Sequence, residues 1–378
     1  MGYVLAKELS KKWNLSIRSI QQYCADGRIA GAKKMGNTWM IPSEAPKPSD
    51  NQKPTELYLS CLDALEFRKD DTMLKLPIDH KDHKALILHY EIAFLRGEIG
   101  LASKLLKDFD FVGTLNIPAM NIVAADALAT GNIALFDQMM GLFSSIKETY
   151  AGEMVADLAA LSEYSYHAAM HVASQEIDVF SFIEFPITTY KAALLYDSYY
   201  FYCHQNYERV AGILESILGN PYKDKFSVID IYIHLLCGLA FKALRLEQRS
   251  DYHLERALDL ALPYGFIMPF ADFMFDYGFQ LENAMRKRSP EFHHRVIQTC
   301  DKIWRNWVVL HNKYKEVDVP VCLSRKEMQV AFYMVQGFTN QKIAKYMGCS
   351  LSYVKKINIS IFTKLMIDKR SELKKYIR

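Results

Sequence analysis

The sequence lacks any apolar run of the length a bilayer span requires, and its opening residues, MGYVLAKELSKKW, put charges where an export signal carries an apolar core. Neither membrane insertion nor secretion is expected, and the compartment expected is the cytoplasm. Cysteine is sparse: seven residues, at 24, 61, 203, 237, 300, 322 and 349, form no CxxC pair and are odd in number. That pattern argues against a disulfide framework, and reduced thiols, several of them buried, are expected. Also missing are a GxxxxGK[ST] phosphate loop, a GxSxG elbow and a dinucleotide glycine fingerprint, so no enzyme and no cofactor is indicated. His80, His83 and His89 cluster without a Cys or Glu at ligand spacing, which reads as surface histidines rather than a metal site.

Proline is rare except between Pro42 and Pro54, where PSEAPKPSDNQKP holds four of the chain's 12. Such a stretch supports neither a helix nor a strand ladder, and it reads as a linker closing a small first domain. The net charge of +3 is divided unevenly. Residues 1–50 carry 8 Lys/Arg against 4 Asp/Glu and residues 319–378 carry 12 against 3, so the ends are +4 and +9 and the stretch between them is −10. Two basic ends on an acidic body suit an anionic partner, since each neutralised phosphate releases counterions. A solvated surface with a basic tail is the plainer alternative.

From Thr55 to about Tyr314 apolar residues recur at three- and four-residue spacing, as in LILHYEIAFLRG and VIDIYIHLLCGLAFKAL, which predicts an all-helical body. Breaks at Arg96-Gly97-Glu98 and Thr130-Gly131-Asn132 lie 34 residues apart, the tetratricopeptide period, and those at Gln205-Asn206 and Arg245-Leu246 about 40 apart. Degenerate helix pairs stacked into a short solenoid are expected, with an irregular bundle as the alternative. Tyr164, Tyr166, Tyr190, Tyr196, Tyr199, Tyr200 and Tyr202 either line a ligand groove or pack half-buried with their hydroxyls at the surface.

The strongest pattern is LSRKEMQVAFYMVQGFTNQKIAKYMGCSLSYVKKINISIFTKL. Ser324 and Glu327 have capping-box spacing, Gly337 stops that helix, Thr339 caps a second from Asn340 to Met347, and Ser350 caps a third. A short helix, a tight turn at Gly348-Cys349 and a capped helix make a helix-turn-helix. In the third helix Val354, Ile357, Ile361 and Leu365 form the buried stripe. Ser352, Lys355, Lys356 and Ile359 are left opposite, where ammonium groups and an apolar side chain can meet phosphates, base edges or a thymine methyl. The segment resembles the LuxR-type DNA-binding domain in Leu323, Ser324, Lys326, Glu327, Val330, Gly337, Thr339, Asn340, Ile343, Ala344, Ser350, Val354, Lys355, Ile361, Lys364 and Leu365. It departs from the usual pattern at Lys342 (usually Glu), Tyr353 (Thr) and Ile357 (His). The resemblance implies that duplex DNA is met by Thr339, Asn340, Ser352, Tyr353, Lys355, Lys356, Ile359 and Lys364.

At the other end a helix is expected from Val4 to Trp13, with Leu5, Leu9 and Trp13 on one face, then a Ser16 cap and a helix from Ile17 to Ala25. AKKM and TWMI around Gly36-Asn37 predict a two-residue β-hairpin. Arg18, Ser19, Gln21 and Gln22 are expected on the outer face of the second helix, and Lys33, Lys34 and Asn37 on the wing, all of types that bond phosphates and bases. The stretch is similar to the excisionase and MerR-like winged family, with Arg28-Ile29, Gly31-Ala32, Gly36, Trp39 and Ile41-Pro42 in matching places. A module that contacts protein instead of DNA is the alternative.

Finally, LERALDLALPYGFIMPFADF, from Leu254 to Phe273, resembles the last helical repeats of MalT-like regulators, which precede a LuxR-type domain. That resemblance implies a body that senses a small molecule or protein and controls self-association. Without the phosphate loop, it does not imply oligomerisation driven by ATP. The expected architecture is mainly α: residues 1–48 a winged helix-turn-helix, 55–314 a tetratricopeptide-like body, and 319–378 a LuxR-type helix-turn-helix. The expected function is a DNA-binding, homodimeric transcription regulator with a small-molecule or peptide effector. A helical-repeat adaptor whose end modules recruit proteins is the main rival. A DNA-bending excisionase is disfavoured by the large acidic body.

Overall fold

The computed structural model describes residues 2–13, 16–25, 29, 31–36, 38–43, 45, 47, 59–60, 67–68, 83–107, 115–170, 175–219, 225–315 and 319–377. They form two compact units, Met1–Leu57 and Tyr58–Arg378. Most of the chain is helical, as expected, and none of the described helices is long and apolar enough to cross a membrane.

In the first unit β1 (Tyr3–Leu5) leads into α1 (Ala6–Trp13) and α2 (Ile17–Ala25), followed by β2 (Lys33–Met35) and β3 (Thr38–Pro42). Ser16 Oγ accepts from the Ser19 backbone N–H at 3.0 Å, the expected cap of α2. Met35 pairs with Thr38 across the two-residue loop, where Gly36 takes a φ of 62°. The start of the chain differs from expectation. Tyr3, Val4 and Leu5 pair antiparallel with Pro42, Ile41 and Met40, so the wing is a three-stranded sheet in the order β1-β3-β2. The free edge of β3 captures residues of high strand propensity that helical spacing alone assigns to α1. Leu5 is left 42% exposed, and Ala6 joins Leu9 and Trp13 on the buried stripe, which packs with Ile20, Cys24 and Ile41.

The second unit opens with β4 (Phe67–Arg68), antiparallel to β5 (Lys225–Phe226). Its helices are α3 (His83–Leu95), α4 (Ile117–Thr130), α5 (Ile133–Thr149), α6 (Met154–Ala169), α7 (Ile187–Cys203), α8 (Tyr207–Leu218), α9 (Val228–Ala243) and α10 (Glu247–Ala261). The sequence breaks are all helix ends of one design. After α3, α4, α7 and α9 a left-handed residue, Gly97, Gly131, Gln205 or Arg245, is followed by an amide bonded five residues back. These bonds run from Glu98 to Ala93 (3.0 Å), Asn132 to Ala127 (2.9 Å), Asn206 to Phe201 (3.0 Å) and Leu246 to Phe241 (2.9 Å). After three of them the next helix starts at once, at Ile133, Tyr207 and Glu247, giving helix pairs; after Gly97 only a 3-10 turn, Ala102–Lys107, follows. A Cβ on Gly97 would meet Ile267 at 2.5 Å and one on Gly131 would meet Asn306 at 2.6 Å, so glycine is dictated there by packing as well as by φ.

Those two contacts show how the stack closes. The chain continues through α11 (Met268–Asp272), α12 (Met274–Tyr277), α13 (Phe279–Arg288) and the 26-residue α14 (Pro290–Lys315). Ile267 donates to the Leu95 carbonyl at 2.7 Å, and Arg295 to the Arg96 carbonyl at 3.0 Å, so the end of the body returns to its first helix. Asn306 donates to the Ala129 carbonyl at 2.9 Å and Trp307 Nε1 to that of Ala169 at 2.8 Å, which lays α14 across the ends of α4 and α6.

The chain ends in α15 (Arg325–Val335), α16 (Asn340–Tyr346) and α17 (Leu351–Leu365), then a 3-10 turn at Arg370–Lys375. Leu323, Val330, Ile343, Val354, Ile361 and Leu373 form one core with Trp304 and Val308 of α14. The six cysteines among the described residues are free thiols, with Cys24, Cys237 and Cys300 buried.

Candidate nucleic-acid interface

Local signals in the sequence build this site almost entirely. Ser324 and Glu327 close the expected capping box: Glu327 receives Ser324 N–H at 2.7 Å and returns its own N–H to Ser324 Oγ at 3.3 Å. Helix α15 then stops in a Schellman turn, with Gly337 N–H bonded to Met334 O at 3.0 Å and Phe338 N–H to Tyr333 O at 3.0 Å. The Tyr333 and Phe338 rings stack over it, 5.5 Å apart. Gly348 and Cys349 repeat the turn after α16, bonding Lys345 O at 3.3 Å and Ala344 O at 3.0 Å. Thr339 Oγ1 and Ser350 Oγ accept from Lys342 and Tyr353 amides at 3.2 and 3.1 Å, capping α16 and α17. Each turn sets the direction of the next helix, so these caps aim α17.

Val354, Ile357, Ile361 and Leu365 are the buried residues of α17, as the spacing predicts. Opposite them Ser352, Tyr353, Lys355, Lys356 and Ile359 are exposed, Ile359 at 67%. Among the described residues neither Lys355 nor Lys356 has an intramolecular partner. Tyr353 and Lys356 also border a cleft whose far wall is Asp301 and Arg305 of α14. An exposed apolar residue between two exposed ammonium groups has no role in the core and matches the mixed chemistry of a major groove.

Three other expected residues are occupied within the chain. The Thr339 hydroxyl serves as a cap, Asn340 Oδ1 accepts from Asn358 Nδ2 at 2.9 Å, and Lys364 Nζ lies 2.7 Å from Glu327 Oε2. Lys342, where the usual pattern has Glu, places its ammonium 3.7 Å from the centre of the Phe338 ring.

In the first unit Arg18 and Gln21 are exposed on α2, but Ser19 is half-buried with its hydroxyl 2.7 Å from that of Ser16. Lys33 and Lys34 are both exposed, as neighbours on an edge strand with both faces in solvent must be. They therefore point to opposite faces of β2. Asn37 and the Gln22 side chain lie outside the described residues.

Spacing does not reveal the role of Arg325. It is the first residue of α15, where a helix start usually leaves a side chain in solvent, yet it is 3% exposed, 3.4 Å from Glu282 and 3.9 Å from Asp301. It also lines a body cavity of about 360 Å3, whose wall includes Tyr166, Tyr196 and Tyr199 of the tyrosine-rich stretch.

Residues 321–377 match the GerE family, described as bacterial regulatory proteins of the luxR family. No curated protein and no solved structure matches the chain. The C-terminal module is a LuxR-family helix-turn-helix domain, of the kind found in DNA-binding transcription regulators.

Proposed function

We propose that the protein is a cytoplasmic transcription regulator that reads duplex DNA with the exposed face of α17. The carrying observation is Ile359 set among Ser352, Lys355 and Lys356 on the capped third helix of a LuxR-family domain. Phosphates are met by the lysines and a base edge or thymine methyl by Ile359. The first unit acts as a second, excisionase or MerR-like DNA reader through Arg18 and Gln21 on α2 and a lysine on β2. The tetratricopeptide-like, MalT-like body senses an effector and dimerises, since a two-fold protein matches a pseudo-palindromic operator. No step of this function requires enzyme activity or a cofactor.

Selection of fragments from genomic DNA with the full chain tests the reading. The expected result is a small set of sites sharing a motif, bound with an affinity that falls steeply with salt. Failure to enrich any sequence, with only protein partners retained, would favour the adaptor instead.

A further inference from the structure

The inner faces of α3, α4, α6, α7 and α9, with α11, α12 and α14, line the half-open cavity of about 360 Å3, a size that fits a small metabolite. Its polar chemistry is lopsided. Among the described residues three carboxylates, Glu91, Asp272 and Asp276, stand in a wall otherwise rich in tyrosine and tryptophan, against one cation, Arg325, with Lys242 near Asp276 but outside the lining. The Arg325 charge is offset by Glu282 and Asp301, neither of which lines this cavity. Asn121 also lines it: its Nδ2 is held by the Leu59 carbonyl at 2.8 Å, while its buried Oδ1 has no hydrogen-bond partner. Asp272 is exposed to the space of the cavity, yet the protein packed around it still raises its carboxyl, against the bond from the Tyr232 hydroxyl at 3.1 Å that lowers it.

An anionic ligand would meet like charge here. An alkylammonium would find both aromatic faces and charged acceptors, and would relieve the cost of ionising Asp272. The route outward is equally specific. Arg325 belongs to α15, and its Nε and Nη1 lack hydrogen-bond partners although the residue is nearly fully buried. Two residues on, Glu327 holds Ser360 and Lys364 of α17 at 2.6 and 2.7 Å.

We propose that this cavity binds a small organic amine with an apolar or aromatic body, and that Arg325 conveys its occupancy to the DNA-binding module. The second half rests on the reading of α17 as a DNA reader; the first does not. A cation in the cavity drives the guanidinium toward Glu282 and Asp301, shifting the first turn of α15 and, through Glu327, the helix it grips.

The test uses the full chain with two matched probe pairs, phenethylamine against 3-phenylpropionate and hexylamine against hexanoate. Saturating amine should raise the melting temperature by several degrees and the matched carboxylate should not; Asp272→Asn, which keeps shape and an acceptor, should lose the shift. Equal response to both members of a pair, or to neither, would overturn the site. Hydrogen exchange at the α15 amides and duplex affinity then read the coupling. Amine should change both, the affinity by several-fold, and Arg325→Gln should abolish both changes while retaining the thermal shift. Amine binding that leaves the α15 amides unaltered would overturn the coupling. Absence of any duplex binding would sink the DNA reading alone, because the thermal and exchange results stand without DNA.

Discussion

Glu327 and Lys364 join the first and last helices of the C-terminal module, Oε2 to Nζ, at 2.7 Å. Burial raises the Glu327 carboxyl, but bonds from Lys364, Ser360 and Ser324 more than reverse this and bring it to about 2, below the ordinary 4.5. A carboxylate held below its unfolded value stabilises the fold above that value and loses the contribution as pH falls toward the folded one. The module should therefore weaken between about pH 4.5 and pH 2, and Glu327→Gln should flatten that part of the profile. At neutral pH the same substitution should cost about 1–3 kcal/mol, reduced by the partial exposure of Lys364. Thermal melts of both proteins across this range check it; parallel profiles would show that the carboxylate is not the titrating group.

Lys355→Ala with Lys356→Ala should leave stability within about 0.5 kcal/mol, because both side chains are exposed, while weakening duplex binding and lowering its salt slope by about one to two. Lys364→Ala should behave in reverse, lowering stability with little effect on the slope. Fluorescence anisotropy at four salt concentrations separates the two. An unchanged slope in the double variant would remove α17 as the phosphate-contacting face.

Two glycines distinguish backbone strain from docking. Gly337 has a φ of 85° and open space where a Cβ would stand, so Gly337→Ala should cost about 1 kcal/mol from conformation alone. Gly348, at 56°, would bring its Cβ to 1.8 Å from the Phe279 ring of α13, so Gly348→Ala should cost about 1–3 kcal/mol more. Adding Phe279→Ala should recover part of that excess in a double-mutant cycle. Additive costs would mean that α13 does not press on the turn.

Removing residues 1–57 should leave the rest folded, since the first unit has its own core around Leu9, Trp13, Ile20 and Ile41. Most affinity should persist, because the C-terminal segment carries +9 against +4 for residues 1–50, but the protected footprint should shorten. A footprint of unchanged length and sequence preference would assign the first unit to protein contact.

What is legible in the sequence is what is decided within one turn of chain. Ser324 with Glu327, Thr339 and Ser350 announce caps because cap and amide lie three residues apart, and Val354, Ile357 and Ile361 announce a buried stripe by period. The strand at Tyr3–Leu5 is not legible because its reason is the edge of β3, more than 30 residues on. Arg325 escapes for the same cause: its carboxylates come from α13 and α14. The closure of Ile267 on Leu95 joins positions over 170 residues apart, which a helical period does not encode. Asn340 has the chemistry of a DNA contact, and only the fold sets its partner, Asn358, beside it.

The shared core of α14 and the C-terminal module sets where this protein can be cut and recombined. Trp304 stacks on Phe275, gives its Nε1–H to the Leu323 carbonyl at 2.9 Å, and lies with Val308 among the apolar residues of α15 and α17. A chimera that grafts residues 319–378 onto a foreign receptor carries a raw apolar seam where those side chains belong. The transplantable cassette begins instead near Pro290, with α14 as its keel.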